Sequence, residues 1–262
     1  MIRSTILAAL ISAGCLAGEP ATLPPMSIDG EVLHANTVRV LGLDFRDVTA
    51  RPRMARGVIE FADAEAKAYR GRIAGWYAID LVGRDRLQSC SFKLNGLDLG
   101  TMLRSLGSTN DQLAGRLDGW FELAIPRGDA TAISGRGEIE IADGTLVQMP
   151  LLVSFLAGNP TAARGKDKLT ARFEIAGGAV RILWLRLDSP AIELAAQGTI
   201  GFDGRLDIEI APRLPFELLR SVPLLGGWAA SGLSRLATRV GRAYVRGNIT
   251  QPVVVFDAFG GR

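Results

Sequence analysis

The chain reads as a mainly β protein: a long antiparallel meander forming a curved, groove-like sheet with two or three short helical insertions. Three observations predict this. Apolar residues recur with period 2 through most of the sequence after residue 27. Turn pairs such as Arg70-Gly71, Asp143-Gly144 and Gly177-Gly178 punctuate those runs. The regular exchange of strand and helix that marks a nucleotide-binding sheet is missing. With 262 residues, 48% of them hydrophobic and 22% charged, the chain can bury a sizeable core.

In chain order, residues 1–18 read as an export signal: one positive charge at Arg3, a short apolar run, then small residues. The apolar run is far shorter than the roughly 20 residues that span a bilayer. Residues 19–27, with Glu19-Pro20 and Pro24-Pro25, form a linker. The β domain is expected over 28–257, and 258–262 are a tail. Ala62, Ala64, Ala66 and Ala68 alternate with Asp63, Glu65 and Lys67. Alanine and glutamate favour helices, so this segment alone is ambiguous. The next run decides for strand, because Ile73, Gly75, Tyr77 and Ile79 share one face.

Leu99, Met102, Leu103 and Leu106 recur at helical spacing, with Asp98 as cap and Gly107 as stop. Strand is expected to resume at Leu113, Leu117, Gly119, Phe121 and Leu123. Asp143-Gly144 predicts a two-residue hairpin that sets Ile141 opposite Leu146. Pro150 to Ala157 reads as a short apolar helix. Leu169 to Ile175, Ile182 to Leu187 and Ile192 to Ala196 continue the meander. A second hairpin follows about 60 residues after the first and reads as its repeat. A two-residue turn there would oppose Phe202 to Arg205. A three-residue loop over Asp203 to Arg205 instead pairs Phe202 with Leu206 and Ile200 with Ile208. A second helical insertion is expected from Pro215 to Val240, broken at Pro223 and Gly226-Gly227. Its stripe is Leu233, Leu236 and Val240, with Arg235, Arg239 and Arg242 elsewhere. Val245 to Phe256 returns to strand, with Pro252 at an edge or bulge.

Composition narrows the chemistry. Thirty basic and 27 acidic residues leave a net charge of +3, which does not demand a nucleic-acid footprint. The single histidine, His34, argues against a His-rich metal site and a histidine-based triad. Two cysteines, Cys15 and Cys90, make no disulfide scaffold, and Cys90 reads as a small buried apolar residue. Glu138 and Glu140 share a face and could bracket a glycoside, but strand alternation explains them as solvent-facing carboxylates. Asp143 and Asp203 suit turns better than calcium. No catalytic residue, metal or cofactor is expected.

Several strands place alanine and glycine on the apolar face. An ordinary closed sandwich or barrel and a curved sheet with an accessible apolar face both fit that pattern. Ala13-Gly14-Cys15 resembles the end of a bacterial lipoprotein signal, which makes Cys15 a lipidation candidate. The order of motifs then adds a family. Gly137-x-Ile139-x-Ile141-x-Asp143-Gly144-x-Leu146 with Pro150-Leu151-Leu152 resembles the C-terminal region of AsmA-like proteins, of the AsmA/TamB type of bridge-like lipid transfer proteins. Leu187-Asp188-Ser189-Pro190 through Gly198, Pro212 to Pro223, and Val245-Arg246-Gly247-Asn248-Ile249 with Pro252 are similar to its later blocks. Tyr69-Arg70-Gly71-Arg72-Ile73-Ala74-Gly75 resembles a recurrent strand step. The similarity runs over about residues 35–257.

The resemblance implies a bacterial periplasmic protein, membrane-anchored if Cys15 is lipidated, that acts in outer-membrane biogenesis. It implies a hydrophobic β-groove that binds or transports phospholipid or another lipid. The groove residues expected from parity are Ile73, Tyr77, Leu117, Phe121, Ile139, Ile141, Leu146, Phe173, Ile175, Leu194, Ile200, Phe202, Leu206 and Ile208. The partners implied are lipid acyl chains, with a membrane surface or another envelope protein joined by edge-strand pairing, and no nucleic acid. A dozen strands at about 4.8 Å each give a groove on the order of 50 Å, short for crossing an envelope. A structural or interaction role with a closed β core is the alternative.

Overall fold

A computed structural model describes residues 26–29, 31–40, 43–83, 87–107, 113–126, 130–145, 166–190, 193–213, 240–248 and 251–258. The expectations for the signal, residues 19–25 of the linker, Cys15, Leu146, the helix at 150–157 and most of 215–240 lie outside these residues, while Met26 and Ser27, expected in the linker, open the first strand. The chain divides into two compact units, Met1–Gly137 and Glu138–Arg262.

The first unit holds β1 (Met26–Asp29), β2 (Val32–Val40), β3 (Leu43–Ala55), β4 (Val58–Ala68), β5 (Gly71–Asp80), β6 (Gln88–Asp98), the helix α1 (Leu99–Ser105) and β7 (Arg116–Ile125). The division falls within β8 (Ser134–Gly144). The second unit continues with β9 (Asp167–Ala176), β10 (Ala179–Asp188), β11 (Glu193–Gly201), β12 (Arg205–Arg213), β13 (Val240–Asn248) and β14 (Gln251–Ala258). In each unit the strands stand in chain order and pair antiparallel. Among the described pairings β1 meets only β2 and β14 only β13, so neither sheet closes on itself.

Local chemistry explains the joints. Arg56-Gly57, Tyr69-Arg70 and Gly177-Gly178 all have positive φ at both residues, the mirror-image turn that matches strand twist. The turn after β4 is therefore Tyr69-Arg70, one residue before the expected Arg70-Gly71, and Gly71 already pairs with Ala68. Asp98 caps α1 by accepting from the Thr101 amide at 2.7 Å. Tyr69 ties this end of the unit together. Its hydroxyl accepts from the Asp44 amide and bonds Ser105 Oγ, each at 2.9 Å.

Bulges bend the sheets into curves. On β4, Phe61 pairs with Tyr77 but Ala64 with Gly75, so one extra residue sits at Ala62-Asp63. Asp63 takes φ 49 there. The expected alanine alternation is thus corrected: Phe61, Ala64, Ala66 and Ala68 share the apolar face, while Ala62 pairs with Arg51. Another bulge lies between Ile182 and Trp184 on β10.

Three further expectations are corrected. Asp143 and Gly144 are not a hairpin turn; β8 runs through them, and Lys166, just before β9, sits 2.9 Å from Asp143. The supposed hairpin repeat falls with it. The β11–β12 loop does have three residues, but they are Phe202, Asp203 and Gly204. Ile200 pairs with Leu206 and Gly198 with Ile208, a shift of two residues that preserves the face. Gly204, at φ 83, supplies the left-handed position that such a loop needs. Finally, Val240 and Arg242 belong to β13 rather than to a helix.

Candidate functional site

Register fixes which side chains share a face, because directly paired residues point the same way. In the first unit one face carries Ile59, Phe61, Ile73, Tyr77 and Ile79, then Cys90, Phe92 and Leu94, then Leu117, Phe121 and Leu123. The other face carries charge, including Arg51–Asp63 at 3.1 Å and Arg136–Glu122 at 2.8 Å. The second unit repeats the scheme. Leu169, Ala171, Phe173 and Ile175 align with Val180, Ile182, Leu185 and Leu187, and with Leu194, Ile200, Leu206 and Ile208. Its opposite face holds Arg172–Glu138 at 2.6 Å, Lys168–Glu140 at 3.0 Å and Arg242–Glu209 at 2.7 Å. These pairs are solvent-exposed and each is worth under about 1 kcal/mol. They mark the water side of the sheet.

The apolar faces are not uniformly buried. In the first unit Leu33, Ala50, Ile59, Phe61 and Ile79 form a closed cluster, with Ile59 fully inaccessible. Phe61 stacks on Tyr77 at 6.1 Å. Tyr77 donates to Gln88 at 2.6 Å, which satisfies a buried amide on this face. Burial pushes the Tyr77 hydroxyl pKa up, with the neighbouring Cys90 adding to it. Burial also pushes the Cys90 thiol up to about 11. Farther along, Phe92 and Phe121 meet at 5.8 Å and stay half-buried, as do Leu94 and Leu123. In the second unit Phe173, Ile175, Val180, Ile182 and Ile200 form a contiguous half-buried patch beside the Gly177-Gly178 turn.

Of the expected groove residues, Ile73, Tyr77, Leu117 and Phe121 share the first unit's apolar face. Phe173, Ile175, Leu194, Ile200, Leu206 and Ile208 share the second's. Ile139 and Ile141 lie opposite in parity to Glu138 and Glu140, whose ion pairs face water. Phe202 is different: it sits in the loop, 46% exposed. Phe92, Leu94 and Val180 join these faces beyond the residues expected from sequence, and Ile182, expected only as the start of a strand, does so too. A scan against protein-family models, a search of curated proteins and a search of solved structures each found no match.

The carboxylates weighed as chemistry have local roles. Glu138 and Glu140 each hold a cation. Asp203 Oδ1 accepts from the Arg205 amide at 2.9 Å within its loop. Among the described residues no group of three or more His, Cys, Asp or Glu side chains could hold a metal. What the site offers is apolar surface, polar on its reverse and open along part of its length.

Proposed function

We propose that this protein is a non-catalytic lipid carrier of the bacterial envelope, of the AsmA/TamB type, holding acyl chains against the apolar faces of its curved sheets. One observation carries the reading: large apolar side chains on a single sheet face stay half-buried, while the ion pairs segregate to the other face. A self-sufficient core would bury Phe121, Phe173 and Ile200 as fully as Ile59. An acyl chain laid across them gains about 0.8 kcal/mol per buried methylene.

The reading places the mature protein in the periplasm, with Cys15 as lipid anchor or removed with the signal. Delivery partners are a membrane surface or another envelope protein joined at an exposed strand edge. The closed cluster of Leu33, Ala50, Ile59, Phe61 and Ile79 favours a purely structural role for β2 to β5. The test is solvent extraction of protein purified from an envelope fraction, followed by mass spectrometry. The expected result is phospholipid at a fixed ratio to protein. Protein free of lipid that also fails to take up a labelled phospholipid after delipidation overturns the proposal.

A further inference from the structure

The polar face of the first unit breaks its own charge rule at one place. Across these sheets, cations often stand in register with carboxylates: Arg39 with Asp44, Arg53 with Glu60, Arg116 with Asp98, Arg181 with Glu174. The row through Arg46, Lys67 and Arg72 does the opposite. Arg46 pairs with Lys67, Lys67 with Arg72, and Arg72 with Asn95, on four successive strands. Among the described register pairs it is the one row with three consecutive cations. Like charges directly opposite one another destabilise a sheet. Folding alone gives no reason for the arrangement.

The surroundings only partly compensate. Asp47 meets Lys67 at 2.9 Å, and Asp98 lies 3.7 Å from Arg70. Arg46 and Arg72 have no carboxylate within ion-pair distance among the described residues. Four cations therefore stand against two carboxylates. The adjoining row contributes nothing net, because Glu65 is balanced by Lys93. Beside the row lies an open depression of about 410 Å³, lined by Lys67, Arg70, Gly71, Arg72, Asn95 and Gly96. Its donors are an ammonium, two guanidiniums and a side-chain amide. At its glycine wall a Cβ on Gly71 would lie 2.5 Å from the Asn95 carbonyl oxygen, and the Gly96 amide is held by Asp118 Oδ1 at 2.7 Å, a carboxylate that Arg116 balances, so the donors left for a ligand are side chains.

We propose that this depression binds a phosphate-type oxyanion. Guanidinium forks match such an oxyanion in charge and geometry, and Lys67 adds a point charge. An anion seated there would also relieve the repulsion along the row. The site lies on the face opposite the apolar one and does not depend on the lipid reading. The phosphate could be free or part of a lipid headgroup.

The test titrates the full chain with inorganic phosphate by calorimetry. In parallel it measures sedimentation with phosphatidylcholine vesicles, with and without phosphatidylglycerol. The test variant is the double substitution Arg46→Gln/Arg72→Gln, and the control is Arg181→Gln in the second unit. Wild type and control should bind phosphate saturably, and the double variant at least about tenfold more weakly. Its melting temperature without phosphate should not fall, since both side chains are exposed and each stands opposite Lys67. Vesicle retention that drops with the double substitution assigns the phosphate to a headgroup. Retention that does not drop, with phosphate binding lost, assigns it to a soluble ligand. Phosphate binding and vesicle retention that are both absent from wild type, or both unchanged in the double variant, overturn the proposal.

Discussion

Ile59 is fully inaccessible within the cluster of Leu33, Ala50, Phe61 and Ile79. Ile59→Ala should therefore cost about 2–5 kcal/mol in denaturant unfolding, the range for a buried aliphatic truncation. Tyr77→Phe is gentler in volume but harsher in chemistry. It leaves the Gln88 amide, 4% exposed, without its 2.6 Å partner. The expected loss is about 1–3 kcal/mol. Ile141 is 7% exposed, so Ile141→Glu should destabilise by several kcal/mol. Glu140→Lys, on the water side, removes an ion pair with Lys168 and should cost about 1 kcal/mol or less. Cys90 gives a pH signature. Its thiol is held at about 11 against an ordinary 9.0, so the folded state keeps the proton longer. Stability from this group is complete below about pH 9 and falls as pH rises toward about 11. Unfolding midpoints measured across that window should decline, and Cys90→Ala should flatten the decline.

Strand parity was legible in the sequence; register was not always so. Alternation at Ile73 to Ile79 and at Leu169 to Ile175 identifies the apolar face because a strand offers only two directions. Register needs the turn as well. Phe202 reads as a strand residue by its hydrophobicity, yet it occupies the loop, because Gly204 is where left-handed backbone is available. Asp143-Gly144 carries a strong turn signal, but Asp143 takes its φ of 55 inside β8, which extends to Gly144, so the dipeptide does not form a separate two-residue turn. The bulge at Asp63 is silent in sequence, since the alanines on either side look alike. Strands β2 and β3 escaped notice because charges and Pro52 interrupt the β3 pattern. Pro52 is tolerated because it lies just beyond the last β2 partner, where no amide is required. The α1 helix was readable from cap to stop: Asp98 accepts from Thr101, and Gly107 has φ 86. Close strand contact makes one glycine diagnostic. A Cβ on Gly198 would collide with the Asp207 carbonyl oxygen and lie 2.7 Å from Ile208 Cα. Gly198→Ala should thus destabilise by about 1–3 kcal/mol, readable as a lower denaturant midpoint, and loosen the β11–β12 pair in hydrogen exchange.

For the whole molecule, both units follow one rule, an apolar face against an ion-paired face, and the proposed function rests on how that apolar face is used. Intact mass from an envelope fraction should show that residues 1–14 are gone, with Cys15 lipidated or removed; a protein retaining them with a free Cys15 thiol contradicts the envelope assignment. The central claim concerns lipid on the apolar face, and half-buried Phe173 is the place to test it. The most direct measurement follows co-purifying lipid and the thermal transition together in wild type, Phe173→Glu and Thr199→Glu. Both variants add one negative charge, the first on the apolar face and the second on the exposed polar face. The account predicts that Phe173→Glu stays folded and loses most of its lipid, while Thr199→Glu keeps both its fold and its lipid. A folded Phe173→Glu protein that carries the full wild-type lipid load would contradict it.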